Sequence, residues 1–164
     1  MKCLVVGAGS IGRRHAQNLL TLDAGDVSVC DPDADAVAAA TSTLGVKGYA
    51  ALDEALAAGP DAVLVCTPTH RHLDVARAAL EADAHLFIEK PVALSLEGVA
   101  ALVELAAARA RTVRVGCNMR FHPGVTALRS AIEAGAAGRV RMIRAWFSHY
   151  LPNWRPSRDV SSAL

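Results

Sequence analysis

The residues that most constrain this chain are its first twelve, MKCLVVGAGSIG. An apolar run, Cys3-Leu4-Val5-Val6, meets Gly7-Ala8-Gly9-Ser10-Ile11-Gly12, and a helix-like stretch follows over residues 13–20. The glycines form a G-x-G-x-x-G set where strand gives way to helix, the context in which the motif signals a dinucleotide. Gly7 serves the tight turn, Gly9 lets backbone approach a pyrophosphate, and Gly12 lets the helix pack closely on the strand. Ser10 and Ile11 complete the cofactor-binding loop, and the helix after it offers unpaired N–H groups and a partial positive charge to the phosphates.

One glycine motif is weak support, and the next strand strengthens it. Val27-Ser28-Val29-Cys30 ends in Asp31, nineteen residues beyond Gly12. That is close to the spacing at which a dinucleotide fold places an acid on the adenosine ribose. The plainer reading of Asp31 is a cap on the turn through Pro32. An acid here, with Asp33 behind it, repels a 2′-phosphate, so NAD is the expected cofactor and NADP the less favoured one. Arg13 and Arg14 argue the other way.

Strand and helix signals then alternate as far as residue 118. Residues 34–44 read as an alanine-rich helix stopped by Gly45, 46–49 as a brief strand, and 52–58 as a short helix with Asp53 and Glu54 in its first turn. The continuous apolar run 61–66 is the signature of a strand covered on both faces. After it, Leu73, Ala76, Ala79 and Leu80 recur at helical spacing. Residues 85–88 form the next strand, Leu96, Val99, Leu102, Val103 and Ala106 mark a helix stripe, and 112–117 supply a sixth strand. The expected architecture is α/β, a Rossmann doubly wound parallel sheet in the order 3-2-1-4-5-6 with its ligand at the carboxyl ends of the strands.

Composition narrows the partners. Of the 164 residues 52% are hydrophobic and 20% charged, and the formal net charge is +1, which leaves no dominant field for nucleic acid or an anionic membrane. No apolar run is long enough to span a bilayer, and the N-terminal run is too short for a signal peptide, so the cytoplasm is the expected location. Cys3, Cys30, Cys66 and Cys117 are far apart, each in or at the end of a predicted strand, and read as small core hydrophobes. The six histidines are scattered too, and no metal site is predicted.

The character changes near Arg120. A helix reads over 123–134 with Val125, Leu128 and Ile132 along one side, and after Gly138 a long strand reads over 139–150. Four of the seven aromatic residues, Trp146, Phe147, Tyr150 and Trp154, crowd into this tail. A strand of that kind needs partners, since an unpaired apolar edge invites association. The expected division is a dinucleotide-binding domain over residues 1–119, and over 120–164 the first helix and strand of an incomplete α+β domain serving substrate and dimerisation.

The residues at the strand ends resemble the glucose-fructose oxidoreductase / inositol dehydrogenase (Gfo/Idh/MocA) family along the whole chain. The likeness rests on the glycine motif with His15, Thr67-Pro68 with His72, Glu89-Lys90-Pro91, and Asn118-Met119-Arg120-Phe121-His122-Pro123. Thr69 departs from the asparagine common after that Thr-Pro. The resemblance implies an oxidoreductase that moves hydride between nicotinamide and a sugar- or polyol-like substrate, working as a homo-oligomer. It implies that Thr67 and Pro68 line the ribose and nicotinamide side, that Glu89 holds the nicotinamide half, and that Lys90, before a cis bond to Pro91, reaches the substrate hydroxyl. A lysine suits that task because its ammonium hydrogen-bonds the oxygen and favours a developing alkoxide.

On the residues alone, Lys90 is equally a solvated charge ahead of a helix. His15 reads first as a polar helix residue near the glycine loop. His72 has two readings, a cofactor contact or a pin on its helix, and Arg120 either approaches substrate or pairs with an acid at the domain junction. The family's acid-and-histidine pair in its second domain has no counterpart here, so a non-catalytic, self-associating dinucleotide-binding module is the alternative expectation.

Overall fold

In a computed structural model, which describes residues 1–146 and 148, the first apolar run divides its side chains between two cores. Strand β1 (Lys2–Val6) sends Leu4 and Val6 to one face of a sheet and Cys3 and Val5 to the other. That alternation, with both faces apolar, makes β1 a central strand covered on each side. After it come α1 (Ser10–Thr21), β2 (Asp26–Cys30), α2 (Ala34–Leu44), β3 (Lys47–Tyr49), α3 (Leu52–Ala57) and β4 (Ala62–Val65). The series continues with α4 (His72–Glu81), β5 (His85–Ile88), α5 (Val99–Ala108), β6 (Val113–Val115) and α6 (Pro123–Glu133).

The six strands pair in parallel in the order β3-β2-β1-β4-β5-β6, as the alternation predicts. Ala16 of α1 and Ala40 of α2 pack with Cys3 and Val5. Ala55 of α3, Val75 and Leu80 of α4, and Leu102 of α5 pack with Leu4 and Val6 on the opposite face. Val6 lies level with Cys30 and with Val65, and Val65 with Ile88. This register brings Gly7, Asp31, Cys66 and Glu89 into one row just past the strand ends. The row straddles the switch point between β1 and β4, where an open α/β sheet takes its ligand.

Two expectations about burial do not hold. Leu96 and Val103 are 83% and 63% exposed. Leu96 precedes α5, which starts after Gly98 in a left-handed turn (φ +77°), and Val103 lies off the face that Leu102 and Ala106 share at i, i+4 spacing. Cys117 is exposed rather than a core residue, because β6 is an edge strand that ends at Val115.

The chain divides into two compact units between Asn118 and Met119. In the second, α6 begins with Pro123 in its first turn, and the His122 ring accepts the Gly124 N–H at 3.2 Å. None of its residues is buried. Residues 139–146 form no strand, contrary to the pattern in the sequence. A strand is defined by ladder hydrogen bonds, and among the described residues nothing pairs with this stretch. The rest of that predicted strand, including Phe147 and Tyr150, and the tail with Trp154 lie outside the described residues. No helix among the described residues is long and apolar enough to cross a membrane.

Candidate functional site

The three motif glycines meet three different environments. Gly7 has φ +101°, and a Cβ there would lie 2.6 Å from the Cys66 carbonyl carbon and oxygen. Its N–H donates to the Cys30 carbonyl at 2.8 Å, so the turn is wedged between the ends of β2 and β4. A Cβ on Gly12 would fall on the Gly7 carbonyl and 3.3 Å from Val5 Cγ1, which fixes how closely α1 rides on β1. Around Gly9 there is nothing within 4 Å of the Cβ position. Gly9 caps α1 with no side-chain hydrogen bond, and the first turn of α1, Ser10 and Ile11 included, carries no acid. Backbone donors with no carboxylate in front of them are what a phosphate needs at a helix start.

Asp31 is held on both oxygens. The Ala8 N–H donates to Oδ2 at 2.7 Å and the Asp33 N–H to Oδ1 at 2.9 Å. The turn cap at Pro32 is therefore present, and a tie to the glycine loop comes with it. An ionised carboxylate has about four acceptor sites, so two remain for a ligand hydroxyl. Asp33 is engaged as the cap of α2, accepting from Asp35 and Ala36. Arg13 turns back to donate to the Ala8 carbonyl at 3.1 Å.

Beyond β4 and β5, Thr67, His72, Glu89, Lys90 and Pro91 lie together. The Thr67 hydroxyl oxygen is buried without a hydrogen-bond partner among the described residues. Leaving such a group unpaired costs about 1–3 kcal/mol, which a polar ligand group at that point would remove. His72 is only 2% exposed, with Nδ1 2.9 Å from the Pro91 carbonyl and Nε2 2.9 Å from the Thr67 carbonyl. Both ring nitrogens of His72 therefore face backbone carbonyls of the loops beside it. Glu89 accepts from His15 Nε2 at 2.7 Å on one oxygen and from the Lys90 N–H at 3.2 Å on the other. Lys90 is exposed and joined to Pro91 by a cis bond.

The sequence reading left the His15–Glu89 pair unseen. Its only trace is that His15 adjoins Gly12 and Ala16, the buried side of α1. In the second unit, the Arg120 guanidinium stands 5.9 Å from the centre of the Phe121 ring.

The electrostatics agree with two carboxylates at this sheet end. Burial, then Asp31 and Glu54, push the Cys30 thiol up to about 11. Burial, then Glu89, push that of Cys66 up to about 12. These residues fit a dinucleotide: an open seat at Gly9, acceptors on Asp31, and an unpartnered hydroxyl at Thr67.

Comparison with known proteins agrees. The profile of the oxidoreductase family with NAD-binding Rossmann fold (Gfo/Idh/MocA) matches residues 1–117. The chain belongs to this family. It is 37% identical over 131 residues to a UDP-N-acetylglucosamine 3-dehydrogenase of Acidithiobacillus ferrooxidans, covering 80% of this chain and 41% of that protein. To an inositol 2-dehydrogenase of Rhizobium meliloti it is 36% identical over 142 residues, covering 85% and 42%. The WlbA dehydrogenase of Bordetella pertussis, solved with NADH and UDP-GlcNAcA, superposes with a TM-score of 0.79 at 27% identity, covering 84% of this chain and 43% of that one. The chain thus spans little more than two fifths of the length of these relatives.

Proposed function

We propose that this chain is the cofactor-binding part of an NAD-dependent oxidoreductase that moves hydride between nicotinamide and a sugar- or polyol-like substrate. The observation that carries the reading is the difference among the glycines: the Cβ positions of Gly7 and Gly12 are filled by protein, whereas that of Gly9 is open. The bound nicotinamide would supply the hydride acceptor or donor. Gly7, Gly9, Ser10, Ile11 and Gly12 would hold the pyrophosphate with backbone groups, and Asp31 the adenosine ribose. Thr67 and Pro68 would line the nicotinamide side, and Glu89 would orient that half. Lys90 would hydrogen-bond the reacting hydroxyl and stabilise negative charge on its oxygen as the proton leaves. His72 and Pro91 would act on the shape of this loop, because the His72 ring is already engaged by two carbonyls.

In the same reading, residues 120–164 begin the domain that selects substrate and mediates dimerisation. Met142, Ile143 and Trp146 stand 71%, 64% and 83% exposed, which supports self-association through this region. A cytoplasmic location goes with this reading, because NAD is plentiful there. The relatives supply substrates to try: inositols and UDP-N-acetylglucosamine-type sugars in the presence of NAD+, followed by nicotinamide absorbance. With the substrate-selecting domain present in full, reduction of NAD+ with one of them, and its loss in Lys90→Met, is the expected result. Unchanged turnover in Lys90→Met would end the assignment of Lys90.

A further inference from the structure

Two histidines from different helices contact the two ends of the segment Glu89-Lys90-Pro91. His15, on α1, holds Glu89 by a 2.7 Å contact, and the edge of its ring meets Phe87 with 5.2 Å between centroids. His72, at the start of α4, stands between the carbonyls of Pro91 and Thr67 at 2.9 Å each. Glu89 is hemmed in from β6 as well. A Cβ on Gly116 would lie 3.1 Å from Glu89 Oε1 and 3.0 Å from Phe87 Cζ. The Gly116 N–H donates to the Ile88 carbonyl at 2.8 Å, and the Glu89 N–H to that of Val65 at 2.9 Å. Lys90 thus sits between one neighbour fixed by its carboxylate and another fixed by its carbonyl.

We propose that His15 and His72 are positioning residues that brace Glu89-Lys90-Pro91 from its two sides and tie it to α1 and to the Thr67-Pro68 turn. The proposal rests on the reading of Lys90 given above. The physical case is selectivity of placement. A half-buried polar pair contributes little that an apolar pair of similar volume would not. What such a pair adds is direction, because a carboxylate hydrogen-bonded on both oxygens has one orientation to offer. Through the brace, α1, which presents its N-terminus to the phosphates, and the lysine segment move as one body. Seating of the dinucleotide and presentation of Lys90 are then coupled through His15.

The test uses the whole chain and reads two quantities, amide hydrogen exchange at Lys90 and NADH binding. His15→Phe keeps the ring and its contact with Phe87 but cannot donate to Glu89. It should release the Glu89 carboxylate and so speed exchange of the Lys90 N–H by roughly tenfold, the equivalent of one charge-assisted hydrogen bond. NADH binding should weaken with it. His15→Gln, whose amide nitrogen reaches a position close to that of Nε2, should restore both, a rescue that a merely space-filling role would not give. Should His15→Phe lose its helical signal in circular dichroism, His15→Ala makes the same comparison. Exchange at Lys90 equal to that of the unaltered chain, in a folded variant, overturns the brace and leaves the proposed function standing. Absence of NADH binding in the unaltered chain overturns the proposed function instead, while the exchange comparison decides the His15–Glu89 contact by itself.

Discussion

Replacing Gly9 by alanine separates the binding role of the glycine loop from its folding role. The new methyl group meets nothing within 4 Å, and the backbone there, at φ −66°, suits alanine. Alanine is a poorer helix N-cap than glycine by roughly 0.5–1 kcal/mol. Against this, the unfolded chain loses freedom worth about 0.4–1 kcal/mol when glycine becomes alanine. The two offset, so stability should stay within about 0.5 kcal/mol of the original. Binding should not survive as well. The methyl group takes the space in which backbone would approach the pyrophosphate, and NADH affinity should fall at least tenfold, about 1.4 kcal/mol.

Gly12→Ala is the counterpart. Its methyl group falls on the Gly7 carbonyl and presses on Val5, an overpacking that costs about 1–3 kcal/mol. Urea unfolding and a fluorescence titration with NADH read both quantities in each variant. If Gly9→Ala kept both its stability and full NADH affinity, the open space beside Gly9 would not be the phosphate seat.

Asp31→Ala should lower the preference for NADH over NADPH by about tenfold, and should cost about 1–3 kcal/mol because the Ala8 N–H loses its acceptor; paired titrations and urea unfolding check this. His72→Ala should destabilise by roughly 2–4 kcal/mol, since it opens a buried cavity and strips two carbonyls of their ring contact; thermal unfolding measures it. The thiols give a pH dependence. In the folded chain Cys30 and Cys66 hold their protons to about 11 and about 12, against an ordinary value of 9.0. Between those values the folded state binds more protons than the unfolded one. Stability is therefore fully present below pH 9.0 and should fall as pH rises through the folded values, by up to about 1.4 kcal/mol per pH unit for each thiol. Urea midpoints across that range test the sign. At neutral pH, an alkylating reagent should modify the exposed Cys117 well before Cys30 or Cys66.

The sheet was legible because its signals are local and repeated. Lys2–Val6, Ala62–Val65 and His85–Ile88 are apolar runs closed by polar loops, and β-strands buried on both faces have no other appearance. Ala34–Leu44 was legible from its alanines and from Gly45 at its end, whereas Asp33, read only for its charge, turned out to cap its start. What the chain pattern could not show is pairing between side chains far apart in sequence. The His15–Glu89 contact spans 74 positions, and no periodicity marks it. The two carbonyl partners of His72 were equally invisible, because a ligand role and a pin both need the same residue at the same helix start. The predicted strand at 139–150 failed in its described part for a related reason. Its residues have strand propensity, but a strand needs a partner, and propensity alone does not supply one.

The central claim is that this loop and Asp31 bind NAD in preference to NADP. A fluorescence titration of the purified chain with NADH, and separately with NADPH, tests it most directly. The account predicts saturable binding of NADH and weaker binding of NADPH. Equal or tighter binding of NADPH would contradict the role given to Asp31, and no binding of either would contradict the reading of the site as a whole.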